Sequence, residues 1–103
     1  MRERDPQRFF SLDQKLDHAE VVRWQCEAEI SKGVRCPNRV VEADHLESWA
    51  LGGLTAEENI AFWCLVHHFL KHLLDEDIRS ANLIKSRMNQ DQINQLRNMG
   101  YNV

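Results

Sequence analysis

Cys26, Cys36, Cys64 and His67 place the strongest demand on how this chain can fold. A chain of 103 residues builds only a limited core, and cores of that size often need a metal or disulfide staple. Three cysteines cannot all pair with one another. With no leader-like segment and no long apolar run, the chain reads as a soluble, cytoplasmic protein without a membrane role, where thiols stay reduced. Reduced thiols beside a histidine point to zinc, and three sulfurs with one imidazole suit a closed structural site. The competing expectation is three free cysteines packed as core residues.

The pattern around these residues predicts a single α+β domain. Residues 1–10 are charged with two aromatics and read as a loosely held arm. Ser11 with Gln14 forms a capping box for an amphipathic helix over 12–24, marked by Leu12, Leu16, Ala19, Val22 and Trp24. His18 reads as a partly packed helix residue, not a ligand. Cys26 to Pro37 is a knuckle-like loop turning at Lys32-Gly33. Arg39–Leu46, rich in β-branched residues, is a strand, and Gly52-Gly53 permits a compact loop after it. Thr55 with Glu58 looks like a second capping box. Ile60–Trp63 is short and apolar enough for a returning strand, although periodicity alone also allows one helix over 56–74. Leu65–Leu74 is then a helix burying Leu70, Leu73 and Leu74. Ser80 caps a further helix burying Leu83, Ile84 and Met88. A last helix, Gln90–Asn98, uses Ile93 and Leu96 and stops at Gly100. Trp24, Trp49 and Trp63 read as core or loop anchors.

Between Val40 and His72 the chemistry-bearing residues fall in a fixed order: Asp44-His45, Gly52-Gly53, Asn59, Cys64-x-x-His67-His68, and Lys71. This order resembles the signature of HNH endonucleases. The resemblance covers about a third of the chain closely and about half when Cys26 and Cys36 are included. It implies a small ββα-metal core, a two-stranded ribbon and a helix around a metal, flanked here by N- and C-terminal helices. It favours the strand-then-helix reading of residues 60–74. It departs from the family where nine residues separate Cys26 from Cys36, and where His67 replaces the usual second cysteine.

Phosphodiester hydrolysis needs an activated water, a metal to offset charge on the phosphate, and support for the leaving oxygen. The resemblance makes His45 the general base, Asn59 the residue orienting it, and Asp44 and His68 the ligands of a catalytic ion. His72, one helical turn beyond His68, lies on the same face. The pair is similar to the His-x-x-x-His of colicin-type DNases, so His72 is a candidate third ligand. One carboxylate with one or two imidazoles suits magnesium or manganese, with nickel or zinc as substitutes. His67 is then left to the structural zinc, although the two histidines could exchange roles. Asp44 and His45 point to opposite sides of an extended strand, so the strand must bend or end there for both to serve one site. Lys71 is a candidate phosphate contact or a solvated charge. Glu42 stands where many family members carry a glutamate near the scissile phosphate, and it is equally placed to be a solvated strand residue.

The expected partner is DNA, in a bacterial or phage-infected cell. A net charge of −3 does not favour tight duplex binding. Cations cluster at Arg2, Arg4 and Arg8, at Lys32, Arg35 and Arg39, and at Arg79, Lys85 and Arg87. They become DNA contacts only if the fold brings them to the His45 side. Two other readings accompany the nuclease: a zinc-stapled binding module without turnover, and a nuclease subunit of a larger phage or defence complex whose partner supplies DNA affinity.

Overall fold

A computed structural model describes residues 3–39 and 41–103. Four helices accompany two separate two-stranded antiparallel sheets. The first helix, α1 (Leu12–Val22), opens with the expected box: Ser11 Oγ accepts from the Gln14 amide and Gln14 Oε1 accepts from the Ser11 amide. It stops before Trp24, because Arg23 and Trp24 both adopt left-handed backbone conformations. Only Ala19 and Val22 of this helix are buried. Leu12 and Leu16 face solvent, and Trp24 is half exposed instead of anchoring the core. His18 is held by Glu27 at 2.8 Å and stacks edge-on against Phe62, as a packed residue.

Between Cys26 and Cys36 the chain forms a tight hairpin, β1 (Glu29–Ser31) and β2 (Val34–Arg35), turning at Gly33 in a positive-φ conformation. Arg35 folds back and donates to the carbonyls of Val22, Gln25 and Cys26, so its charge is spent inside the fold.

The second sheet pairs β3 (Glu42–His45) with β4 (Ile60–Trp63) in the register Glu42↔Trp63, Asp44↔Ala61 and His45↔Ile60. Of the strand expected over 39–46, β3 covers Glu42–His45 and ends at His45 itself; Val40 lies outside the described residues. Beyond it, 3-10 turns span Trp49–Leu51 and Glu57–Asn59. Gly53 cannot be replaced in this loop: a Cβ there would stand 1.9 Å from the Glu47 carbonyl oxygen. Thr55 does not cap the second turn, whose N-cap is Ala56 without a side-chain bond.

β4 runs directly into α2 (Leu65–Leu74), so residues 56–74 are not one helix. Val66 and Phe69 are its buried residues, with Leu65, Leu70 and Leu73 packed beside them; Leu74 is exposed. Next comes α3 (Ile78–Lys85), capped by Asp77 and not by Ser80, because Asp77 Oδ1 accepts from the Ser80 amide. Ile84 is buried and Met88 packs beside the core, but Leu83 is exposed. The last helix, α4 (Gln90–Asn98), carries an Asn89–Gln92 capping box, buries Leu96 completely and is followed by Gly100 at positive φ.

Two apolar clusters result. One gathers Val66, Phe69, Ala81, Ile84 and Leu96 around the three cysteine sulfurs. The other joins Phe10, Ala19 and Val22 to Ile60 and Phe62 of β4. Burying Phe10 pulls residues 3–10 down onto the fold, so the described part of the arm is not loose; residues 1 and 2 lie outside the described residues. Asp5 Oδ2 accepts from the Thr55 amide at 3.0 Å, and the Asp5 carbonyl accepts from Trp49 Nε1 at 2.9 Å. Trp49 is thereby the loop anchor expected of it. No described helix is long and apolar enough to cross a membrane.

Candidate functional site

The zinc candidates converge. Cys26 and Cys36 arrive on either side of the β1–β2 hairpin, Cys64 from the β4–α2 junction, and His67 from the first turn of α2. Their ligand atoms all lie within 4.8 Å of one another. His67 Nδ1 is 3.1 Å from Cys64 Sγ and 3.6 Å from Cys26 Sγ, and the Cys36 and Cys64 sulfurs are 4.0 Å apart. Tetrahedral zinc with sulfur at about 2.3 Å and nitrogen at about 2.0–2.1 Å would set sulfurs about 3.8 Å apart and sulfur to nitrogen about 3.6 Å. The three cysteines are buried and free of disulfides. The cluster can therefore hold a structural metal such as zinc. Hydrogen bonds from Cys26, His67 and Asn38 push the Cys64 thiol down, whereas its bond to Cys64 and burial push Cys26 up. Thiols that share protons in this way lose them to a metal.

His68, the next residue, faces the other way. Asp44, His68 and His72 form a second group whose ligand atoms lie within 4.8 Å of one another. His68 Nε2 is 3.2 Å from His72 Nε2 and 3.8 Å from Asp44 Oδ1. Ligands about 2.0–2.1 Å from one ion, at tetrahedral to octahedral angles, stand about 3.0–3.4 Å apart. Behind each ring sits a carboxylate: Glu42 Oε1 is 3.7 Å from His68 Nδ1, and Asp77 Oδ2 is 3.4 Å from His72 Nδ1. Neither contact closes a hydrogen bond, and both Nδ1 atoms are buried without a partner. The four ring nitrogens can be satisfied together in two ways. Either an extra proton bridges the two Nε2 atoms, or a cation sits between them and both Nδ1–H groups face their carboxylates. The donor set therefore fits a divalent ion. Asp77 is the residue that spacing did not reveal, since it reaches His72 only through the turn between α2 and α3.

Lys71 is neither solvated nor free to meet phosphate. Its ammonium donates to the His45 carbonyl at 2.9 Å and pairs with Asp44 at 3.1 Å and Asp75 at 3.2 Å. One N–H is spent on the carbonyl, and the charge is shared between the two carboxylates. Burial acts to raise the Asp44 carboxyl, but His68 and Lys71 outweigh it and bring it to about 2. Glu42 is likewise committed, to Arg87 at 2.7 Å and toward His68, instead of standing exposed near a substrate.

His45 projects to the opposite side of β3 from Asp44, stacked on Phe10 with ring centres 4.4 Å apart. Its direct partner is Thr55, not Asn59. The single proton of the Thr55 hydroxyl goes to the Gln7 carbonyl in a short hydrogen bond. The hydroxyl can then only accept from His45 Nε2, 2.9 Å away. That places the ring proton on Nε2 and leaves Nδ1 a lone pair. Burial holds His45 below its ordinary value despite the pull of Asp44. Asn59 acts one step away: its side chain accepts from the Glu47 amide and donates to the carbonyls of Glu47 and Leu54, pinning the loop.

Asp44, His45, His68 and His72 line one cavity of about 460 Å³, together with Arg8 and Lys15. A strand that ends at His45 lets side chains from both its faces reach the same opening. No family model, curated protein or solved structure matches this chain. Function must be argued from the site itself.

Proposed function

We propose that this chain is a metal-dependent endonuclease of the HNH type that hydrolyses DNA phosphodiester bonds, with β3, β4 and α2 as its ββα-metal core. One observation carries the reading: a one-carboxylate, two-imidazole cluster and a neutral, tautomerically fixed histidine open into the same cavity. Asp44, His68 and His72 would hold the catalytic ion, magnesium or manganese by donor type, while Cys26, Cys36, Cys64 and His67 hold structural zinc. Such an ion offsets the charge that builds on the phosphate and on the leaving oxygen.

The chain's own residues supply the rest. His45 Nδ1 takes a proton from a water whose oxygen attacks phosphorus, and the ester P–O bond breaks with its electron pair leaving on the departing oxygen. Thr55 keeps the opposite ring nitrogen protonated throughout. Lys71 holds the end of β3 to α2, so that Asp44 and His45 keep their spacing while the substrate binds. Glu42 and Asp77 orient the two metal-facing rings. The test is nicking of supercoiled plasmid with added magnesium, manganese or nickel. Wild-type protein is expected to nick, and His45→Ala to lose about a hundredfold or more with its fold and zinc intact. A folded, metal-loaded chain that leaves every form of DNA uncut removes the assignment.

The net charge of −3 favours one variant of this reading, in which a partner in a larger assembly supplies most of the DNA affinity. Cleavage that appears only when that partner is added separates the two.

A further inference from the structure

Three cations of this fold are committed to partners within it, Arg35 to carbonyls, Arg87 to Glu42 and Lys71 to Asp44 and Asp75. Arg8 and Lys15 are different. Both line the cavity that holds Asp44 and His45, and among the described residues neither is paired with a carboxylate. Phe9 lines the same cavity and is 75% exposed. Its neighbour Phe10 takes the opposite place, buried against the His45 ring. The arm that carries these residues is pinned through Asp5 and Gln7 to Thr55. Arg8 is braced in turn, its guanidinium 4.6 Å from the Trp49 ring centre and 5.3 Å from that of Phe9.

We propose that Arg8, Phe9 and Lys15 form a nucleotide subsite at the mouth of the cavity, the two cations taking a phosphate and Phe9 stacking on the adjoining base of a single-stranded polynucleotide. Paired bases in a duplex bury their faces against one another, so an exposed ring flanked by cations suits unstacked strands, where aromatic stacking and backbone charge act together. The subsite rests on the nuclease reading only for its purpose; its binding is measurable without turnover.

The experiment uses the whole zinc-loaded chain without added magnesium or manganese, titrated into a fluorescein-labelled oligothymidylate of about 12 nucleotides, a length that spans such a site. Phe9→Ala and Phe9→Leu are each expected to weaken binding about tenfold, and Phe9→Trp to restore it. Arg8→Gln should weaken binding and flatten its salt dependence by about 0.7 in logarithmic slope. A duplex of the same length should bind less tightly and ignore Phe9. Retention of wild-type affinity by both Phe9→Leu and Arg8→Gln overturns the subsite, as does a duplex preference or the absence of any oligonucleotide binding. Phe9-dependent binding by a protein that cuts nothing with any metal defeats the nuclease reading and leaves the subsite standing. Undiminished plasmid nicking and oligonucleotide binding by both Phe9→Leu and Arg8→Gln does the reverse.

Discussion

Spacing revealed neither Thr55 nor Asp77 as a partner of a histidine, yet one bonds His45 and the other stands behind His72. Thr55 fixes the His45 tautomer because its one proton is already given to Gln7. Thr55→Val should therefore lower nicking roughly ten- to a hundredfold without unfolding the chain, measured on plasmid beside circular dichroism. His45 sits below its ordinary value because of burial. A base so depressed is unprotonated at neutral pH and gains its proton only on acidification. The pH–rate profile should show an acid limb centred below about 6.5 and no loss from this group on the alkaline side. For stability the sign is the same: the unfolded chain takes up the proton first, so His45 and His72 destabilise the fold as pH drops below about 6.5 and cost nothing above it. Asp77 stands behind His72. Asp77→Asn should weaken manganese binding about ten- to a hundredfold by calorimetry while leaving zinc content unchanged. An unchanged affinity would confine Asp77 to capping α3.

Lys71 joins two elements, and this explains why a lysine on α2 is neither solvent-facing nor available to substrate. It satisfies the last carbonyl of β3 and neutralises Asp44, whose remaining partner is the His68 ring at 3.8 Å. Removing one partner of a largely buried pair leaves the other uncompensated, at about 3–5 kcal/mol when burial is complete and less here, where each side chain keeps 13–16% exposure. Lys71→Met should therefore lower the melting temperature most when no manganese is present, and added manganese should recover more stability in the variant than in wild type. Equal shifts in both would sever Lys71 from Asp44. The β1–β2 hairpin would depend in a similar way on a metal held by its flanking cysteines. Two short strands cannot hold themselves together, and their flanking cysteines enter the core beside Leu96 and Phe69. Cys36→Ala is expected to abolish stoichiometric zinc and collapse the cooperative thermal transition, read by atomic absorption and calorimetry on one sample.

Residues 5–10 tie the molecule together, since Asp5, Gln7 and Phe10 meet the 46–55 loop, Thr55 and His45 in turn. Deleting residues 1–7 should cost nicking activity out of proportion to any fall in melting temperature, because it removes the acceptor that orients Thr55. Local signals announced much of this architecture. The capping box at Ser11, the Gly33 turn and the apolar run from Ile60 mark elements formed by near neighbours, whereas the division of His67 and His68 between two clusters came only with the fold. Burial was another matter. Leu12, Leu16, Leu74 and Leu83 have helical spacing but lie outside the core, since a face is buried only if another element arrives to cover it. The partners of His45, His68 and His72 were equally illegible, because Thr55, Glu42 and Asp77 reach them through a loop, a strand register and a turn. The identities and order of donor atoms are written in the chain; their directions, protons and supporting contacts exist only once distant segments have packed together.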